Sequence, residues 1–265
     1  MISLLAIVSS ISGFSEVKMQ STQFLSAQSQ FQSLSHSKKQ LWVVGYMNST
    51  LEESIQDLEV SFQNGADAIV FEGKDFEKID GFLTEIRKRY PTRVLGINFL
   101  GTEPETESYL QTFALAEKHK LQIAWTDFSG VDLIQEASVP NLQAIESKKP
   151  AHVFYVSGIQ MKYSTPVDPN KSIQKSALQA MGWVDGVIVT GPKTGVPTDP
   201  TTARDARSVM GTYPLGAASG VSAENVHLLL PYIDFALVNS SIADENRRII
   251  GEKVRALRIA MDQVH

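Results

Sequence analysis

The sequence predicts an α/β protein, a closed (β/α)8 TIM barrel behind an N-terminal extension, and three observations predict it. From Leu41 onward, short apolar runs alternate with longer stretches of helical pattern. Eight such runs begin near Trp42, Ala68, Arg93, Gln122, Ala151, Asp185, Pro214 and Ile233, 19 to 34 residues apart. Each is rich in Val, Ile and aromatic residues and apolar on both faces, as strands are when a parallel sheet is covered by helices. Eight regular units in the last 225 residues, with no Pro/Gly linker between them, fit a closed barrel better than an open doubly wound sheet. The barrel is expected to span 41–265, and residues 1–40 form the extension.

In chain order, Ile2–Val8 are apolar, but no basic residue precedes them and no A-x-A site follows. The run is also far short of the roughly 20 residues that cross a bilayer. A cytoplasmic protein with no signal peptide and no integral membrane segment is the expectation. Residues 15–40 hold seven Ser and six Gln, half of that stretch, a composition that fits a disordered leader. Val17, Phe24, Phe31 and Leu34 recur near helical spacing, so the Ser/Gln-rich extension is expected to be partly helical and to lean on the barrel. After the first strand, Leu51, Ile55, Leu58 and Phe62 share one helical face, Thr50 and Glu53 form a capping box, and Asn64-Gly65 ends the helix. Ser222-Ala-Glu-Asn225 opens another helix ahead of Val226, Leu229 and Leu230, and Ile249, Val254, Leu257 and Ala260 mark the last.

Composition narrows the function. The 24 basic and 29 acidic residues give a net charge of −5, which argues against nucleic acid as the partner. The absence of cysteine excludes disulfides, thiolate metal sites and cysteine nucleophiles. Histidine narrows it further: His36 lies in the extension, His119 at a helix end, His152 at the start of strand five, His227 within a helix and His265 at the chain end. None falls at a strand's carboxyl end, so histidine triads and multi-histidine metal sites are not expected.

A barrel places its site at the carboxyl ends of its strands and in the loops that follow. Those positions are Gly45-Tyr46, Glu72, Asn98, Thr126-Asp127, Lys162, Thr190, Ser219-Gly220 and Asn239-Ser240. Each alone reads as a turn residue or helix cap, but together they converge on one opening. In Ala217-Ala-Ser-Gly-Val221, Gly220 permits a tight turn, and a helix starting at Ser222 would aim unpaired N–H groups at an anion. Strand eight ends in Asn239, Ser240 and Ser241, which add polar donors beside that loop, where many barrels hold phosphate. Asn239 stands where a glycine would allow closer approach, and Ala243 where a basic side chain would help. Thr190, Gly191, Thr194 and Gly195 belong to a Gly-rich loop expected to lie over the ligand. It is not a Walker loop, because Pro192 precedes Lys193 and Gly186 lies in the strand. Lys162 either pairs with a phosphate or carboxylate or serves as a Schiff-base or general-base amine; the sequence leaves both open. Glu72 and Asp127 are the candidate acid–base carboxylates, with Asn98 orienting the ligand. No D-x-D motif supports a metal and no motif calls for a cofactor, so neither is assigned.

These residues also carry a family resemblance. Gly-Val-Ile-Val-Thr-Gly-Pro-Lys-Thr-Gly195, Ala-Ser-Gly-Val-Ser-Ala-Glu-Asn-Val226, Leu-Pro-Tyr232 and Val-Asn-Ser-Ser241 resemble the BtpA family, as do Gly96-Ile-Asn98 and Met161-Lys162. The resemblance implies a phosphate-binding, ribulose-phosphate-binding-barrel-like TIM barrel and a phosphorylated small molecule, a sugar phosphate or nucleotide-like metabolite, as ligand. The family includes a factor linked to photosystem I accumulation, which implies as the alternative a non-catalytic assembly or stability factor with a protein partner or a second copy of the chain. The chain departs from the family at Tyr163, where His is usual, at Gly45-Tyr-Met-Asn48 and at Thr126-Asp-Phe-Ser-Gly130.

Overall fold

A computed structural model describes residues 21–47, 50–100, 105–133 and 147–263. The Ile2–Val8 run, Val17, His265 and residues 134–146 of the stretch linking strands four and five lie outside the described residues. The strands are β1 Gln40–Tyr46, β2 Ala68–Gly73, β3 Leu95–Phe99, β4 Ile123–Thr126, β5 Phe154–Gly158, β6 Gly186–Thr190, β7 Leu215–Ala218 and β8 Phe235–Val238. They pair in parallel and in sequence order, and β8 closes on β1, so the chain is a TIM barrel. The described helices are α1 Ser21–Leu34, α2 Leu51–Gln63, α3 Phe76–Arg89, α4 Glu105–Lys118, α5 Ile173–Ala180, α6 Pro200–Met210, α7 Val226–Leu229 and α8 Gly251–Asp262. Among the described residues, no helix is long and apolar enough to cross a membrane.

The period-two alternation of the strands sorts the core into two shells. Residues such as Trp42, Val44, Ala68, Val70, Ile123, Trp125, Phe154, Ile188, Phe235 and Leu237 form the barrel interior. Their neighbours, such as Val43, Ile69, Ile97, Tyr155 and Val187, pack outward against the helices. Small residues make room for large ones across the interior. At Gly216, for example, a Cβ would stand 2.2 Å from the Phe235 ring.

The strand starts fall within three residues of their sequence positions, β5 being the furthest. Ala151-His152 is a turn there, with Val153 donating to the Pro150 carbonyl at 3.0 Å, and the strand begins at Phe154. Helix α2 begins and ends as its sequence predicts: Thr50 accepts from the Glu53 N–H and Glu53 reaches back to the Thr50 N–H, while Asn64 is the C-cap and Gly65 takes φ 100°. The helix expected from Ser222 is shorter. Ser222–Asn225 is a turn, and α7 has a single helical turn.

Helix α1 closes the amino end of the barrel. Its Phe31 ring packs on Phe154 at 5.6 Å and Phe235 at 5.7 Å, and Phe235 stacks on Trp42 at 4.2 Å. Gln40 ties the joint polar groups together, donating to the Phe31 carbonyl at 3.0 Å and accepting from the Trp42 indole N–H at 2.9 Å. Burying side chains such as Phe31 and Leu34 contributes roughly 1.5–3 kcal/mol each. This part of the extension thus spends its apolar face on the barrel floor.

Candidate functional site

The alternation that packs the floor sets the polar mouth. On β2 the inward series Ala68, Val70 ends in Glu72; on β3 Gly96 is followed by Asn98; beyond β4 the series Ile123, Trp125 continues to Asp127. These three polar groups meet. The buried Asn98 amide donates from Nδ2 to Glu72 Oε1 at 3.3 Å and to Asp127 Oδ1 at 3.0 Å. Burial pushes the Glu72 carboxyl up to about 8, helped by the charge of Asp127, while Asn98, Lys162 and Arg247 pull it down. Burial likewise raises Asp127, against Asn98 and Lys162. Two carboxyls beside one amide in a poorly solvated site hold a proton into the neutral range, which is the arrangement that separates an acid from a base.

The second cluster is cationic and hydroxylic. Lys162, in the loop after β5, donates from Nζ to Ser219 Oγ at 2.6 Å, and Ser219 Oγ lies 2.8 Å from Thr190 Oγ1. Strands β5, β6 and β7 therefore contribute one relay. The Lys162 loop is pinned from below: Gln160, at φ 44°, donates its N–H to the buried Asp132 carboxylate at 2.7 Å, which Lys171 also meets at 3.2 Å and Ser176 at 2.5 Å. Asn239 donates to the Val44 carbonyl at 2.7 Å, sealing the β8–β1 seam, and Ser241 donates to the Val221 carbonyl.

Both clusters face one cavity of about 250 Å³. Glu72, Asp127, Lys162, Thr194, Gly195, Ser219, Gly220, Asn239, Ser240 and Ser241 all line it. Asn98, Thr190 and Gly191 stand behind it. Asn98 holds the carboxyls, Thr190 holds Ser219, and Gly191 lies under its own loop, where a Cβ would be 2.0 Å from the Val196 carbonyl oxygen. Gly220, at φ 58°, has the same kind of role, since a Cβ there would meet the backbone of Gly195–Pro197 at 2.5–2.7 Å. Its lack of a side chain lets the β6 and β7 loops touch. The helix opening at Ser222 is more occupied than the sequence implies, because the Ser222 N–H already donates to Asn225 Oδ1 at 2.9 Å.

Tyr46, which the sequence placed at the mouth, lines the cavity too, and the sequence reading missed the further walls Trp125, Phe128, Met161 and Tyr163. The parity of Trp125 with Asp127 would have found the inward one. Arg247 is a further addition, its guanidinium 4.9 Å from the Tyr46 ring centre. Burial pushes the Tyr46 hydroxyl up to about 12, with Glu72 adding to it.

No protein-family model matches the chain, and no curated protein does. Solved structures do. Phosphoribosyl anthranilate isomerase from Thermus thermophilus is 16% identical with a TM-score of 0.58, covering 85% of this chain and 100% of its own. Tryptophan synthase subunit alpha from Legionella pneumophila is 12% identical with a TM-score of 0.61, covering 91% and 99%. The KDPGal structure is 14% identical with a TM-score of 0.58, covering 86% and 96%. These likenesses show the fold. The BtpA resemblance is carried by the quoted motifs alone.

Proposed function

We propose that the mouth of this barrel binds a small phosphorylated metabolite and moves a proton on it. The observation that carries the reading is the placement of the Lys162–Ser219–Thr190 relay and the Glu72–Asn98–Asp127 set around one cavity. Lys162 and the hydroxyls of Ser219 and Ser240 supply charge-assisted and neutral hydrogen bonds to phosphate oxygens, while Ser241 is held on the Val221 carbonyl. Thr194 and Gly195 cover them, while Gly191 and Gly220 keep the covering loops in contact. Glu72, protonated near neutral pH, donates to a developing oxyanion, and Asp127 accepts a proton from the neighbouring carbon or oxygen. Lys162 serves as the anion anchor in this arrangement, its Nζ positioned by the bond to Ser219 and keeping further N–H donors for the phosphate. The phosphoribosyl group in the name of one structural neighbour and the likeness to the BtpA family support the same ligand class.

Calorimetric titration of sugar phosphates and nucleoside monophosphates tests the proposal. At least one should bind, and Lys162→Met should weaken it about tenfold or more, the worth of one lost charge-assisted hydrogen bond. Glu72→Gln should keep binding and lose turnover. A panel in which no phosphorylated compound binds would reject the reading.

A further inference from the structure

The loop after β8 holds a second cation at the mouth, and it is a built feature. Residues 242–250 form a tight hairpin, with Ala243 bridged antiparallel to Ile249, Ile250 N–H donating to Ile242 at 2.9 Å and Asp244 N–H donating to Arg248 at 2.9 Å. Arg248 clamps the hairpin to α2 through both oxygens of Asp57, at 2.9 and 3.1 Å. Asp244 Oδ1 is engaged inside the turn, accepting the N–H groups of Asn246 and Arg248 at 2.8 Å each. Arg247 sits at the tip in the left-handed conformation, φ 64°, and its guanidinium lies over Tyr46 at the end of β1. Among the described residues it makes no ion pair. Stacking on an aromatic face uses the plane of a guanidinium and leaves its edge N–H donors available.

Position in the ring gives this cation its meaning. Tyr46 ends β1 and Lys162 follows β5, and in a closed eight-stranded order these strands stand opposite one another. Arg247 and Lys162 both pull on Glu72, and Lys162 pulls on Asp127 as well. Resting on the phosphorylated-ligand reading above, we infer that the ligand is anionic at both ends: its phosphate lies on Lys162, and a second phosphate or a carboxylate lies on Arg247. The reacting atoms are then held over Glu72 and Asp127, with both ends fixed.

The test is titration at constant ionic strength with three probes: a pentose bisphosphate, phosphoglycerate and glycerol phosphate. The doubly anionic probes should bind about tenfold more tightly than glycerol phosphate, the gain of one charge-assisted contact. Arg247→Gln should remove that gain and leave glycerol phosphate unchanged, whereas Lys162→Met should weaken all three. A bisphosphate preference over phosphoglycerate assigns a phosphate to Arg247, and the reverse assigns a carboxylate. Equal affinity for all probes, or an Arg247→Gln loss shared equally by all, overturns the inference while leaving the single-phosphate reading standing. Failure of every probe to bind rejects both.

Discussion

The two ends of the barrel are built on the same inward-facing alternation and put it to opposite use. At the amino end, Phe31, Trp42, Phe154 and Phe235 fill the interior with closely packed rings under α1. At the carboxyl end, β2, β3 and β6 of the same ring place Glu72, Asn98 and Thr190 where another layer of Val or Leu would have packed, and a cavity of about 250 Å³ remains. Buried carboxyls cost stability that an apolar layer would have contributed. The contrast teaches that the floor stabilises the barrel while the mouth spends part of that stability on poised groups.

Breaking the floor should have the largest effect. Phe31→Ala should cost about 3–5 kcal/mol in denaturant unfolding, with ligand affinity of the folded protein unchanged. A loss of affinity equal to that in a mouth variant would contradict the division. Next, Asp132→Asn removes the charge that holds Lys171 and weakens its grip on the Gln160 N–H; it should cost about 2–3 kcal/mol and loosen the Lys162 loop. Hydrogen exchange at Gln160 should rise well before that of β5.

Glu72 offers a signed test. Its carboxyl is raised in the folded state, from 4.5 to about 8, so the folded protein binds more protons than the unfolded chain between those values. Stability associated with its protonated form is complete below pH 4.5 and is lost as pH rises through about 8. Glu72→Gln should therefore gain on the wild type across that interval, by more than about 1.4 kcal/mol, the worth of one pK unit. Parallel pH–stability curves would show that the carboxyl is not poised. The smallest effect belongs to Lys162→Met, which should change stability by no more than about 0.5 kcal/mol while weakening anion binding.

Much of this was legible in the sequence because it depends on period alone. The Ala68–Val70–Glu72 series fixes both a strand and the direction of its terminal carboxyl, and the Thr50–Glu53 box fixes a helix start. What escaped depends on contacts between distant segments. Nothing near Ser222 shows that Asn225 will fill the donor an anion would need. Ser219 meets Lys162 from 57 residues away, so the relay exists only once the ring is closed. Gly220 looks like a ligand-approach glycine, yet its requirement comes from Gly195–Pro197 pressed against it. Arg247 lies in a charged loop with no strand parity, and only the hairpin anchored by Arg248 and Asp57 turns it toward Tyr46.

The most direct measurement is electron density from a crystal of the protein soaked in a sugar phosphate at near-neutral pH. The account predicts a phosphate within hydrogen-bonding reach of Lys162 Nζ and the Ser219 and Ser240 hydroxyls, with the rest of the ligand over Glu72 and Asp127. A phosphate bound elsewhere, with the mouth holding only water at saturating ligand, would contradict it.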